Sequence, residues 1–222
     1  MTLFEGLPRE EVDRISTLVH AQRYACGEVI FHRGDIATTL HIIRKGQVSI
    51  RLSSSDGKEV ILSLLQRGDF FGESSLLDGA PLSTDAVARG EVDVLRLQRR
   101  DFQHYLSTRP QVALGLLTTL SRLVRQVTQR IHDTSFLDAR TRLERVLLEL
   151  ARHFGSPGEG GTTISQKFTQ TELANLCGLT RESTNKWLRT FVRDGWVRYE
   201  GGDITLVQEP RLEDEWMGLN RP

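Results

Sequence analysis

The sequence predicts an α+β chain, with an antiparallel β barrel or sandwich first and helices after it, and three observations carry that expectation. Glycines recur at positions 34, 46, 57, 68, 79 and 90, with short apolar runs between them. After Pro110 the apolar residues change to a spacing of three and four. From residue 167 to 207 the order is helix cap, short helix, glycine, second cap, second helix and hairpin.

The runs LHII, VSIRL, VILSLL, DFFG and VDVLRL are short and bounded by turn signals, so they read as strands of a barrel or sandwich over residues 20–98. The glycines supply positive-φ turn positions. Within Ser54-Ser55-Asp56-Gly57-Lys58 the Asp-Gly pair suits a type I′ hairpin. Arg-Gly-Asp occurs at 33–35 and again at 67–69, and both copies read as turn chemistry rather than adhesion motifs.

At 222 residues the chain is comfortable for two domains, each with a modest core. The boundaries expected are 1–109 for the β domain, 110–137 for a long pairing helix and 138–222 for the C-terminal domain. No apolar run is long enough to span a bilayer, and the start MTLFEGLPREEVDRI lacks the pattern of a signal peptide, so a cytoplasmic location and no membrane contact are expected. Cys26 and Cys177 form no metal or disulfide spacing, and each is expected to be a buried small residue. With 29 basic and 29 acidic residues the net charge is zero, which argues against nonspecific coating of nucleic acid and still permits a basic face.

Pro110 suits a first helical turn, and Leu117, Leu120, Val124, Val127, Ile131 and Thr134 then step by three and four for nearly three heptads. Such a seam pairs with a twin helix or lies on its own β domain; a helix this long is expected to pair. Asp138 can cap a second helix, ARTRLERVLLELARHF, with Leu143, Leu147, Leu150 and Phe154 on one face. It stops at Gly155, and GSPGEGG reads as a flexible loop.

The segment 167–207 decides the class. Thr169 and Glu172 make a capping box, Ala174 suits a close helix approach, Gly178 breaks the chain, and Thr180 caps the next helix. Thr184, Trp187, Leu188, Phe191 and Val192 then form a buried stripe, leaving Arg181, Glu182, Asn185, Lys186 and Arg189 on the solvated face. Those side chains suit base edges: Arg or Lys to guanine, Glu to cytosine, Asn to adenine. A recognition helix in the major groove needs them near its N-terminal end. With Thr169, Gln170, Thr180 and Ser183 at the helix starts, and WVRYEGGDITL as a two-stranded wing, the expected partner is double-stranded DNA.

This order of parts resembles the bacterial cyclic-AMP receptor protein and fumarate-nitrate regulator (Crp/Fnr) family of transcription regulators over nearly the whole chain. The pieces that carry the likeness are RGD at 33–35 with KGQVSI at 45–50, GDFFGESSLLDG at 68–79 and GLTRESTNKWLR at 178–189. The resemblance implies a cyclic-nucleotide-binding-type β barrel of jelly-roll form, a dimerisation helix and a winged helix-turn-helix. It also implies a homodimer on a palindromic operator, with RNA polymerase as a partner near loop 155–161.

The same resemblance places an effector at Gly72, Glu73, Ser74, Ser83, Thr84, Val127 and Thr128, with Phe136, Leu137 and Asp138 as a hinge. Leu82 stands where cyclic-AMP-binding members have an arginine on the phosphate. Charge-assisted hydrogen bonds contribute about 1.5–3 kcal/mol each, so losing a bidentate pair weakens phosphate binding by roughly a hundredfold or more. Cyclic AMP or cyclic GMP bound weakly, a different effector, and a purely structural β domain all remain open at this point. Lys186 departs from the arginine of the family's half-site reader, keeping charge and losing the fork.

A four-cysteine iron-sulfur relative is excluded by the count of two. A haem-sensing relative would need an axial ligand, and His20, His32, His41, His104, His132 and His153 show no diagnostic spacing; for a redox-sensing relative Cys26 is the candidate thiol, with no partner placed for it. An enzyme is not expected: no Ser/His/Asp order, metal cluster or Walker-type loop is present.

Overall fold

The computed structural model describes residues 3–4, 7–158 and 160–207, and the chain divides into two compact units, Met1–Ile131 and His132–Pro222. In the first unit the order is α1 (Arg9–Leu18), β1 (His20–Tyr24), β2 (Val29–Phe31), β3 (Thr39–Ser53), β4 (Glu59–Leu65), β5 (Phe70–Phe71), α2 (Glu73–Asp78), β6 (Asp85–Gln98), α3 (Arg99–Thr108) and α4 (Pro110–Phe136), which runs on past the division.

The long strands β3 and β6 pair antiparallel from Thr39↔Gln98 to Arg51↔Asp85. The sheet runs β1-β6-β3-β4, with β2 on β6 and β5 on β3. The expected jelly roll is observed in open form, with β1 and β4 at the two ends of this strand order. The β3–β6 register shifts on both sides of Lys45, beside Gly46, and such irregularities bend a strand. Gly46 has φ 85°; a Cβ there would run into the Glu91 carbonyl and come within 3.0 Å of Val92 Cα.

One core cluster holds Leu40, Leu76, Leu82, Leu97, Phe102, Val112 and Leu116. A second holds Tyr24, Ile43, Val48, Phe71, Ala86 and Val94. Both Arg-Gly-Asp copies are turns of one design: Asp35 Oδ2 accepts from His32 N and Asp69 Oδ2 from Gln66 N, each at 2.8 Å.

The hairpin reading at Asp56-Gly57 needs correction. Ser53 pairs with Glu59, so the loop has five residues, and Gly57 N donates to Ser54 O at 3.1 Å. A type I′ turn needs two positive-φ residues, and among the described residues only glycines have one. Cys26 is exposed, against expectation, on the turn beside Gly27, whereas Cys177 is buried.

Along α4, Val112 and Leu116 are buried in the first cluster and Leu120 packs against it. Leu120 is thus lost from the expected seam, which otherwise stays exposed: Leu117 58%, Val124 65%, Val127 41% and Ile131 61%.

The second unit contains α5 (Ala139–Phe154), β7 (Gly155–Gly158), β8 (Gly161–Ile164), α6 (Gln170–Cys177), α7 (Arg181–Arg193), β9 (Val197–Glu200) and β10 (Asp203–Leu206). Asp138 caps α5, accepting from Thr141 N at 2.8 Å. Instead of a flexible loop, residues 155–158 and 161–164 are strands, and the wing is a four-stranded sheet in the order β7-β8-β10-β9. The cause is pairing: β8 covers the edge of β10 with Ile204 opposite Ile164, both buried. Glu159, within that stretch, lies outside the described residues.

Candidate nucleic-acid interface and effector cassette

The helix pair α6–α7 is fixed at three points by local chemistry. Thr169 Oγ1 accepts from Glu172 N at 3.1 Å while Glu172 Oε2 accepts from Thr169 N at 2.9 Å. Gly178 ends α6 in the left-handed region at φ 62°, where a Cβ would be strained. Thr180 then accepts from Ser183 N at 3.2 Å and starts α7.

On α7, Thr184, Leu188 and Phe191 are buried, Trp187 is half-buried and Val192 is 43% exposed. The expected stripe is therefore narrower by one residue. At 3.6 residues per turn, Val192 lies about 80° around the helix from Thr184, at the margin of the buried face. Arg181, Glu182, Lys186 and Arg189 are exposed. Asn185 departs from the group: it is half-buried and accepts from Gln170 Nε2 at 3.3 Å. The Lys186 ammonium lies 5.1 Å from the centre of the Trp187 ring.

A cleft of about 480 Å³ joins these helix starts to the wing, lined by Lys167, Thr169, Gln170, Arg181, Gly201 and Gly202. Sequence reasoning missed Lys167 and the two glycines. The signal was available in Gly201-Gly202 between two strands, which permits close backbone approach, but nothing local ties that turn to Lys167.

In the β domain the cassette begins at Gly72, φ 86°, which precedes α2 in the left-handed region. A Cβ there would lie 3.4 Å from His41 Nδ1 and 3.5 Å from both Phe31 Cε1 and Thr39 O. Glu73 is half-buried, and burial pushes its carboxyl above the ordinary carboxylate value, with its own backbone N–H offsetting part of the rise. Ser74 is exposed, whereas Ser75 is buried and accepts from Ala37 N at 3.0 Å.

Leu82 packs into the core. It is 4% exposed and belongs to the core cluster with Leu40, Leu76 and Phe102. Its backbone is pinned to the turn at 34–35, through Gly34 N to Leu82 O and Leu82 N to Asp35 O, both at 2.8 Å. Ser83 is exposed and Thr84 half-buried, just ahead of β6. The Asp85 carboxylate accepts from Arg33 N at 2.9 Å and Ser53 Oγ at 3.3 Å. Val127 and Thr128 stand exposed on α4.

His41 was only one of six histidines in the sequence. It is 6% exposed, stacked on Phe71, and its Nδ1 has no hydrogen-bond partner. Burial, and secondarily the charge of Arg96, holds its pKa down to about 4.

Known proteins share this arrangement. A cyclic nucleotide-binding domain profile matches residues 21–109, and a Crp-like helix-turn-helix domain profile matches residues 141–215. The chain is 30% identical over 210 residues to the CRP-like cAMP-activated global transcriptional regulator of Mycobacterium tuberculosis, covering 95% of this chain and 94% of that one. It is 33% identical over 217 residues to the cyclic AMP receptor protein of Thermus thermophilus, covering 98% and 97%. Among solved structures, the catabolite activator protein of Thermus thermophilus superposes with a TM-score of 0.55 at 32% identity, covering 96% of each chain. The c-di-GMP responsive global regulator CLP of Xanthomonas campestris superposes with a TM-score of 0.80 at 24% identity, covering 90% of this chain and 100% of that one, a likeness of fold.

Proposed function

Because the chain belongs to the Crp/Fnr family of transcription regulators, we propose that it acts as a homodimer that reads a palindromic operator and is tuned by a small ligand at the Gly72–Glu73 cassette. The observation that carries this reading is the polar face of α7. Arg181, Glu182, Lys186 and Arg189 are exposed, and the opposite face is anchored by Thr184, Leu188 and Phe191. Seated in the major groove, Arg181, Glu182 and Lys186 read base edges, and Thr169, Gln170, Thr180, Ser183 and Arg189 set the register on the backbone.

The exposed residues Leu117, Val124, Val127 and Ile131 supply the dimer seam. Pairing there sets two recognition helices one DNA turn apart, roughly 34 Å. In this reading residues 1–109 sense, 110–137 pair and 138–222 bind DNA, with RNA polymerase as the downstream partner.

The two curated relatives are named for cyclic AMP. Leu82, packed into the core where the resemblance expects an arginine, favours a ligand other than cyclic AMP in this chain. A ligand at the cassette acts by binding one dimer arrangement better than the other.

The test combines light scattering, selection of duplexes from a random pool, and calorimetric titration with cyclic AMP and cyclic GMP. A dimer that Val124→Asp splits, and a palindromic selected site, support the reading. A wild-type monomer, or no selected sequence, removes it. Micromolar saturable heat with cyclic AMP would overturn the assignment of a different ligand.

A further inference from the structure

We propose that Lys167 is a phosphate-contacting cation of the DNA interface, and that Asp203 at the wing tip holds it back from the duplex. The proposal rests on the DNA-binding reading above and adds two residues and a control on affinity to it.

Three contacts fasten the segment before α6 to the wing. Phe168 N donates to Gly202 O at 3.1 Å, and Tyr199 Oη donates to Phe168 O at 3.1 Å. Lys167 Nζ lies 3.6 Å from Asp203 Oδ2. The turn between β9 and β10 can lie this close because Gly201 and Gly202 have φ of 58° and 91° and no side chains. A Cβ on Gly202 would sit 3.4 Å from Lys167 Cβ. Lys167 is thereby fixed on the cleft that Arg181 also lines. A duplex whose bases meet Arg181 carries its phosphates past Lys167.

The wing tip itself is acidic. In the β9–β10 register Asp203 stands directly opposite Glu200, a like-charge pair that disfavours the hairpin. Lys167 offsets that repulsion in the free protein. Its side chain is 71% exposed and that of Asp203 57%, so the ion pair is in water and weak. The dense negative charge of a duplex competes for the ammonium, and binding breaks its pair with Asp203. Asp203 thus lowers affinity for every DNA sequence alike, without touching a base.

Fluorescence anisotropy on a random-sequence duplex over a salt series tests this without knowledge of the operator. Lys167→Ala is expected to weaken binding about three- to tenfold and to reduce the slope of log K against log salt by about 0.9. Asp203→Asn is expected to tighten binding about two- to fivefold, and to do so only while Lys167 is present. Glu200→Gln, which removes a like charge across the register from Asp203, is expected to change affinity less. If Asp203→Asn tightens binding equally on the Lys167→Ala background, the wing acts by plain repulsion and the proposal is overturned. Unchanged affinity and slope in Lys167→Ala overturns it too. A wild-type protein that binds no duplex even at low salt sinks the DNA-binding reading itself, a result distinct from a binding protein indifferent to Lys167.

Discussion

The imidazole of His41 lies nearly flat against Phe71, with ring centroids 5.0 Å apart and planes inclined by 16°. Its Nδ1 is buried without a partner, 3.4 Å from where a Cβ on Gly72 would stand. Burial disfavours the charged ring, so the folded pKa falls from 6.5 to about 4. Between those values the unfolded chain binds the proton and the folded one does not, so the contribution of His41 is whole above about 6.5 and is lost as pH falls toward about 4. The full step is about 3 kcal/mol. His41→Phe keeps a stacked ring and removes both the orphan nitrogen and the proton. Urea unfolding across that pH range should show the variant more stable than wild type at the acid end by roughly this step. Parallel pH profiles for the two proteins would refute the account.

What the sequence made legible and what it hid divide along the range of the interactions. Thr169 with Glu172, Gly178 and Thr180 act within three residues of themselves, so the helix-turn-helix could be read from spacing alone. The strands at 155–158 and 161–164 could not, because glycine-rich segments show no alternation and become strands only when Ile164 meets Ile204. The sequence neighbours of Leu82 suggest a phosphate cradle, whereas it clusters with Leu40 and Phe102, distant in the chain. Spacing alone puts Asn185 on the polar face of α7, while Gln170, on another helix, engages it. The exposed stripe of α4 was visible as a period of three and four, but the diversion of Leu120 depends on the core beneath it.

Gly46 and Gly57 have nearly the same backbone, φ 85° and 82°, and opposite surroundings. A Cβ on Gly57 meets open space, while one on Gly46 runs into the Glu91 carbonyl. Gly57→Ala should therefore cost only the left-handed penalty, about 1–2 kcal/mol. Gly46→Ala should cost that and a backbone shift in the β3–β6 ladder, about 3 kcal/mol or more. Chemical denaturation of the two variants decides it, and equal losses would mean that the bend at Gly46 yields without resistance.

Leu82→Arg looks like a restoration of a phosphate-binding site and is expected to fail as one. The side chain at 82 is 4% exposed among leucines and Phe102, and its backbone is held on both sides by the turn at 34–35. A guanidinium there is either buried without a partner or forces the segment out of the core, at a cost of about 3 kcal/mol or more. The thermal transition of the β domain should drop, and calorimetry with cyclic AMP should show no gain. A variant that keeps the wild-type transition and binds cyclic AMP tightly would show that residue 82 can swing outward.

In the proposed reading Lys186 sets how sharply one base pair of the operator is read. Its ammonium lies 5.1 Å from the centre of the Trp187 ring, a cation–π contact that restrains the side chain. A lysine offers a point charge to guanine O6 or N7, whereas arginine offers two parallel donors, worth about 1–3 kcal/mol of discrimination. Lys186→Arg should therefore raise the preference for guanine at its base pair by about fivefold to a hundredfold while leaving the salt slope unchanged, since the charge is kept. Lys186→Ala should flatten the preference at that position alone. Affinities for an operator series substituted at each position would check both, and a flat response to either change at every position would remove Lys186 from the readout and leave Arg181 and Glu182 to carry it.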